Sequence, residues 1–368
     1  MPASLDLSPC HAPNWLPERH TQTLFGALVA PTNRLRFART RVNTPDGDFI
    51  DLDWAHSSAA NHYPRTQDSS LSHTAAARWL TPTEQQQLRD TPPTPALLLF
   101  HGLEGSSGSR YAQSIASYFK ARQWIVVVAH FRGCSGFANR LARAYHSGDS
   151  ADIGFILQAV RQQVPQALWH AVGVSLGGNA LLKYLGEQAA QMTWLVGAAA
   201  ISAPLDLVAA GNHLSDNTFN REVYSRHFLR SLKPKVFEKA RRYPGVIDTF
   251  KVNQARDLRE FDHAYTAPMH GFADAIDYWT QSASKPWLKK IVTPTLVLNA
   301  RNDPFLPEHT LVGPNDCSEA ITLHQPAVGG HVGFVTGTWP GHLNWLPERV
   351  NGFFQSLTHS TTIGYPID

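Results

Sequence analysis

The sequence predicts an α/β protein built on a mostly parallel sheet with helices on both faces. Three observations carry this. Apolar runs of strand length alternate with helix-patterned segments from residue 95 onward. Those runs are continuous rather than alternating, which marks strands covered on both sides. A Gly-x-Ser-x-Gly pattern, Gly173 to Gly177, falls where one such run meets a helix-like stretch.

In chain order, residues 36–55, "RFARTRVNTPDGDFIDLDWA", read as two strands around a Pro-Asp-Gly-Asp turn, an antiparallel hairpin at one edge of the sheet. Residues 56–94 shift to Ser, Thr, Gln, His and Pro, with one short helical patch near "AAARWL"; this predicts a surface excursion. "PALLLFHG" is a buried strand, and "SRYAQSIASYFKARQ" places Tyr111, Ile115, Tyr118 and Phe119 on one helix face. The alternation repeats through "WIVVVAHF", "SADIGFILQAVRQQV", "LWHAVGVS" and "LGGNALLKYLGEQ", then a further strand in "WLVGAAAIS". "TPTLVLNA" and "AITLHQPA" add two more strands, and "NWLPERVNGFFQSL" closes with a helix. Between them, residues 205–289 break the pattern. Phe219, Val223, His227, Phe228 and Leu232 form one helical stripe there, and Phe272, Ile276 and Trp279 another. The expected organisation is therefore a core of residues 1–204 and 290–368, with a helical cap of residues 205–289 inserted between two strands.

Composition narrows the function. A hydrophobic fraction of 43% with 17% charged residues belongs to a folded globular chain. The net charge of +3 is too small and too scattered for a nucleic-acid binder. Cys10, Cys134 and Cys317 have neither the even number of a disulfide framework nor Cys-x-x-Cys spacing. With no signal-peptide pattern at the start and no apolar run of membrane-spanning length, the expectation is a soluble, cytoplasmic protein. The 18 histidines show no metal-ligand spacing, so neither metal nor cofactor is expected.

Alone, Gly173-x-Ser175-x-Gly177 could be a tight turn. At the C-terminal end of a parallel strand it gains a chemical reading, because ligand sites of open α/β sheets lie outside those ends. A sharp strand-to-helix turn exposes the serine oxygen, and side chains at Gly173 and Gly177 would collide with the neighbouring strand and helix. A serine hydroxyl is a poor nucleophile until a base takes its proton, and the base needs an orienting carboxylate. Asp303, in "RNDPF", follows one late strand; His331, in "GGHVGF", follows the last. Both fit the order serine, acid, histidine. Asp206, after the preceding strand, is the rival acid, and the bland alternative for Asp303 is a turn with the proline that follows. The glycines around His331 are expected to let its loop approach the serine. Donors for a developing oxyanion are expected from the backbone N–H groups of Leu176 and Leu103. His101 reads as a loop brace rather than a reactant, and Cys134 as a small residue in a turn.

With these residues in place, the chain resembles the α/β-hydrolase superfamily, and within it the YheT-like branch. The stretches that carry the resemblance are "RHTQTL", "PDGDFIDLDW", "FHGLEGSSGSRYA", "VVAHFRGCSG", "YHSGDSAD", "GVSLGGN", "YPG", "REFDHAYTAPMHGFADAIDYW", "TPTLVLNARNDPF" and "GGHVGF", across residues 14–357. The resemblance implies Ser175, Asp303 and His331 as a charge-relay triad. It also implies an esterase or lipase-like activity, with acyl transfer to alcohols among eukaryotic relatives. The excursion around 57–94 is longer than this branch leads one to expect.

The expected function is hydrolysis of carboxylic esters, with short-to-medium acyl chains, through an acyl-enzyme on Ser175. Acyl transfer to an alcohol uses the same residues and is the first alternative. A non-catalytic binding scaffold on the same fold is the second, and a lyase or haloperoxidase the third. The expected partner is a small-molecule ester. Segment 221–242, with eight Lys and Arg against Glu222 and Glu238, reads either as a solvated helix face or as a contact for anionic headgroups, so peripheral membrane contact stays open.

Overall fold

In a computed structural model, which describes residues 2–55 and 76–361, ten strands form one twisted sheet. They are β1 (Ser4–Asp6), β2 (Phe37–Asn43), β3 (Phe49–Ala55), β4 (Ala76–Trp79), β5 (Pro95–Phe100), β6 (Ile125–His130), β7 (Leu168–Val174), β8 (Gly197–Ile201), β9 (Thr295–Leu298) and β10 (Ile321–His324). Their spatial order is β1-β10-β9-β8-β7-β5-β6-β3-β2-β4. Pairing is parallel from β1 through to β6, antiparallel at β6/β3 and β3/β2, and parallel again at β2/β4.

The continuous apolar runs occupy the middle. Every residue of β6 and β8 is buried, as sheet faces covered on both sides require. One face packs on α4 (Ser150–Gln163) and α5 (Leu176–Gln188); the other packs on α3 (Arg110–Lys120) and α13 (Trp345–Thr361). The first helix, α1 (Arg19–Leu28), is capped by the Glu18 carboxylate, which accepts from the N–H groups of His20 and Thr21.

Two edges depart from the expected arrangement. The hairpin β2–β3 lies near one edge but does not form it, because β4 adds outside β2. Ala76–Trp79 is thus a strand where a helical patch was expected; pairing with the open rim of β2 outweighs alanine's helix preference. The helix comes next, as α2 (Pro82–Arg89), opened by a capping box between Thr81 and Glu84. Residues 56–75 of the polar excursion lie outside the described residues. At the other edge, β1 pairs with β10.

Between β8 and β9 the chain is helical: α6 (Leu207–Asp216), α7 (Thr218–Asn220), a π-helical turn (Arg221–Ser225), α8 (Arg226–Arg242), α9 (Thr249–Gln254), α10 (Leu258–Phe261), a second π-helical turn (Asp262–Thr266), α11 (Ala267–Met269) and α12 (Ala275–Ser282). Their apolar faces form a cluster that includes Phe305 and Leu306 of the loop after β9, so the helices sit over the carboxyl ends of the strands.

The basic segment is not one solvated face. Lys239 is buried and donates to the carbonyls of Leu141 and Arg143; Lys235 pairs with Glu104; Lys233 donates to the carbonyls of Asn253 and Ala255.

Candidate active site

Ser175 occupies the corner between β7 and α5 with φ 52° and ψ −119°, a left-handed backbone that strains any residue with a Cβ. Its N–H donates to the carbonyl of Ile201 at 2.8 Å, which pins the corner to β8. The two glycines have separate duties. A Cβ on Gly173 would stand 2.5 Å from the Gly177 carbonyl oxygen, so it would drive α5 off the strand. One on Gly177 would stand 2.5 Å from the carbonyl oxygen of His101, at the end of β5.

His331 Nε2 lies 3.0 Å from Ser175 Oγ, and His331 Nδ1 lies 2.8 Å from Asp303 Oδ2. The three predicted side chains therefore form one hydrogen-bonded chain from the ends of β7, β9 and β10. Asp303 is 2% exposed, and its Oδ1 accepts from the N–H of Phe305 at 2.8 Å. With Oδ1 occupied by that amide, Oδ2 is the oxygen turned to the imidazole. The rival acid is elsewhere: Asp206 caps α6 by accepting from the Ala209 N–H and pairs with Lys285 at 3.3 Å.

The glycines near His331 act differently from the expectation. They make room for α1 rather than for the serine: a Cβ on Gly330 would meet Thr23 Oγ1 at 2.8 Å, and one on Gly333 the Gln22 carbonyl at 2.5 Å. Thr23 Oγ1 accepts from the His331 N–H, and Gln22 Oε1 from the Gly329 N–H. The "RHTQTL" stretch thus holds the histidine loop.

The loop after β5 runs close beside the serine: a Cβ on Gly102 would stand only 3.2 Å from Ser175 Cβ. Tyr111 accepts from the Gly102 N–H and Tyr145 from the Glu104 N–H, so both neighbours of Leu103 are tied back by tyrosines. Leu103 and Leu176 line the same cavity as Ser175 and His331. The Asn179 N–H to Ser175 carbonyl bond opens the α5 ladder, with the Leu176 N–H ahead of it at the positive end of the helix.

His101 braces this loop. It is fully buried, its Nε2 accepts from the Phe131 N–H, and its Nδ1–H donates to the Gly102 carbonyl at 2.7 Å. Burial pushes its pKa down to about 3, so the ring stays neutral. Below it, fully buried Asp53 accepts from Arg39 Nε at 2.6 Å, Ser107 Oγ at 2.6 Å and the His130 ring at 2.7 Å. Burial alone would raise its pKa, but His130 and Arg39 outweigh it and hold the carboxyl well below the ordinary range. Cys134 is a buried free thiol whose pKa burial raises to about 12, far from a nucleophile's.

Ser175 and His331 open into a cavity of about 130 Å³ between the strand ends and the helices above. Its walls are mostly apolar, with Leu214, Phe228, Leu232, Phe261, Trp279 and Phe305 among them. Of the two helical stripes read in the sequence, Phe228, Leu232 and Trp279 line it. Phe219 and Ile276 are 45% and 43% exposed, Phe272 packs on Tyr278 and His146, and Val223 joins the helices' own core. Tyr145, Phe305 and Asp262, for which the sequence suggested no individual role, line it too. Among the described residues, no cluster of three or more His, Cys, Asp or Glu side chains could hold a metal ion, and no helix is long and apolar enough to cross a membrane.

The family described as the alpha/beta hydrolase fold matches residues 95–338. YheT of Escherichia coli (strain K12), a provisionally designated esterase, is 35% identical over 90% of this chain and 88% of its own. Phospholipase ABHD3 of Mus musculus is 27% identical over 93% of this chain and 77% of its own. Medium-chain fatty acid ethyl ester synthase/esterase 2 of Saccharomyces cerevisiae is 28% identical over 75% of this chain and 65% of its own. Among solved structures, Est1E of Butyrivibrio proteoclasticus with ferulic acid bound superposes with a TM-score of 0.52 at 12% identity, covering 87% of this chain and 99% of that one. The strand order, the strained serine corner and these matches agree: the chain belongs to the α/β-hydrolase superfamily, in its YheT-like branch.

Proposed function

We propose that this protein is a carboxylic ester hydrolase in which Ser175 is the nucleophile, His331 the general base and acid, and Asp303 the residue that orients His331. The single observation carrying the reading is the unbroken Ser175–His331–Asp303 hydrogen-bond chain opening into an apolar cavity. Ser175 Oγ attacks the ester carbonyl as His331 Nε2 takes its proton. The tetrahedral oxyanion is held by the N–H groups of Leu103 and Leu176. On collapse the carbon–alkoxide bond breaks, and His331 returns the proton to the departing alcohol. Water then repeats the sequence on the acyl-enzyme, giving the acid and free Ser175.

Residues 205–289 act as a cap on a core of residues 1–204 and 290–368. Its cavity favours short-to-medium acyl groups, since a chamber of about 150 Å³ takes a molecule of benzene's size. The three buried free cysteines support a reducing, cytoplasmic location. Acyl transfer to an alcohol is the second reading; it needs only an alcohol in place of water, and the yeast relative's name pairs synthase with esterase. Added ethanol would yield the ethyl ester in that case.

The test is Ser175→Ala. It should abolish turnover of nitrophenyl esters by about 10⁴-fold or more and remove labelling by a fluorophosphonate, with the fold intact by circular dichroism. Labelling that persists at another serine would overturn the assignment.

A further inference from the structure

Asp262 is a carboxyl group facing the cavity that holds Ser175 and His331. It sits in the π-helical turn Asp262–Thr266, between α10 and α11. Such turns interrupt the helical ladder and frequently occur at functional sites. Asp262 Oδ1 accepts from Thr266 Oγ1 at 2.6 Å, and Oδ2 from Trp279 Nε1 at 2.8 Å. Two neutral donors fix the carboxylate and leave acceptor capacity on each oxygen.

Among the described residues, no lysine or arginine lines this cavity. The titratable groups that face it are Tyr145, His146, Tyr265, Tyr278 and His331, while Asp257 acts on Asp262 from the preceding turn. From above, α6 presents Leu207, Ala210, Gly211 and Leu214, and α8 presents Phe228 and Leu232. Burial pushes the Asp262 pKa up to about 6, against the pull of its two hydrogen bonds. Near pH 7.5 it is an anion in a largely apolar chamber. Buried charges are costly unless paired, so the complement to this one is a cation brought by the ligand.

We propose that Asp262 receives a protonated amine on the bound ester, making amino-bearing esters the preferred substrates. The inference rests on the reading that Ser175 is the nucleophile in the same cavity. Phe261, Tyr265 and Trp279, which line the chamber too, add ring faces that attract a desolvated cation. A hydroxyl would also donate to the carboxylate, but it brings no counter-charge and leaves the buried anion unneutralised.

Three matched substrates test it: the 4-nitrophenyl esters of 6-aminohexanoic, 6-hydroxyhexanoic and heptanoic acids. At about pH 7.5 the amino ester should have a KM about ten- to a hundredfold below the other two. The advantage should fade at about pH 5, where Asp262 takes up its proton while the amine stays charged. In Asp262→Asn the KM ratio should fall to about one. Equal or better handling of the neutral esters at pH 7.5, or an advantage that survives both the pH shift and the substitution, overturns the proposal. So does a preference for the hydroxy ester. Should Asp262→Asn fold poorly, the wild-type pH series decides alone. Calorimetric binding of hexylamine against 1-hexanol needs no turnover and separates the two readings. Selective binding of the amine without esterolysis sinks only the assigned reaction; esterolysis without selective binding sinks only the role of Asp262.

Discussion

The ring of Phe305 stacks on that of His331, with centroids 3.9 Å apart and planes 15° from parallel. The same residue's N–H fills one oxygen of Asp303, so Phe305 supports the imidazole and its carboxylate partner at once. In the proposed reaction the histidine receives a proton from Ser175 and then delivers it to a leaving group, which needs its ring plane held. Phe305→Leu should therefore lower kcat about tenfold and Phe305→Ala about a hundredfold, with KM changed far less, since a displacement of about 1 Å can cost that much. Steady-state kinetics with thermal melts would check this. Unchanged kcat in a folded Phe305→Ala would show that Asp303 and Thr23 suffice to hold the ring.

The acid assignment separates cleanly by substitution. Asp303→Asn keeps the shape but disfavours the tautomer with Nδ1–H toward the carboxyl, so turnover should fall by about 10⁴-fold. Asp206→Asn should leave turnover within about twofold, because Asp206 caps α6 and asparagine caps nearly as well. Reversed effects would move the acid to the end of β8.

Legibility followed periodicity. The central strands were readable because continuous apolar runs of about six residues have few alternatives in a parallel sheet. That Ser175, Asp303 and His331 would meet was readable because each lies in the loop or corner after a strand of the parallel sheet. The edge strands were not. Ser4–Asp6 and Ala76–Trp79 are short, and each exists only because the neighbouring strand offers unpaired backbone groups. The cavity walls were not legible either. A helical stripe identifies what a helix buries but not against what, so Phe219 and Ile276 read like Phe228 and Trp279. Asp262 fell between the two helical stripes of residues 205–289, and the π-helical turn that carries it leaves no periodic signal.

The buried Asp53 cluster ties fold stability to the loop after β5. Asp53→Asn takes from the buried Arg39 guanidinium its 2.6 Å ion pair and leaves it the longer one to Asp51 at 3.9 Å, at an expected cost of about 1–3 kcal/mol. Since the Asp53 pKa is depressed in the fold, its contribution is present above the unfolded value of 3.8 and is lost as the pH falls below it. Melting temperature against pH should drop steeply below about pH 4 in the wild type and less steeply in Asp53→Asn. A stable variant with unaltered acid sensitivity would remove the cluster from this role. Activity of the surviving folded fraction should fall as well, because the Ser107 Oγ bond to the Asp53 carboxylate, one of the contacts holding the loop bearing Leu103, becomes a weaker bond to a neutral amide.

Chain-length selectivity has a specific wall. The cavity beneath the helices and a second hollow of about 380 Å³ beside it share Ala144, Tyr145, Leu232, Phe261 and Tyr265. Leu232 is the branched aliphatic side chain in that partition, carried on α8. In the wild type each added methylene gains about 0.8 kcal/mol of burial until the chamber is full, so activity on nitrophenyl esters should peak at about four to eight acyl carbons. Leu232→Ala removes the branched end of the partition and joins the two hollows. The optimum should then move to longer chains by several carbons, with kcat for butyrate little affected, because Leu232 is carried on α8 and not on the elements that position Ser175 and His331. A folded Leu232→Ala with an unmoved optimum would place the end of the acyl chain elsewhere. A wild-type rate rising steadily to long-chain or vesicle-bound esters would show that the chain leaves the cavity instead of filling it.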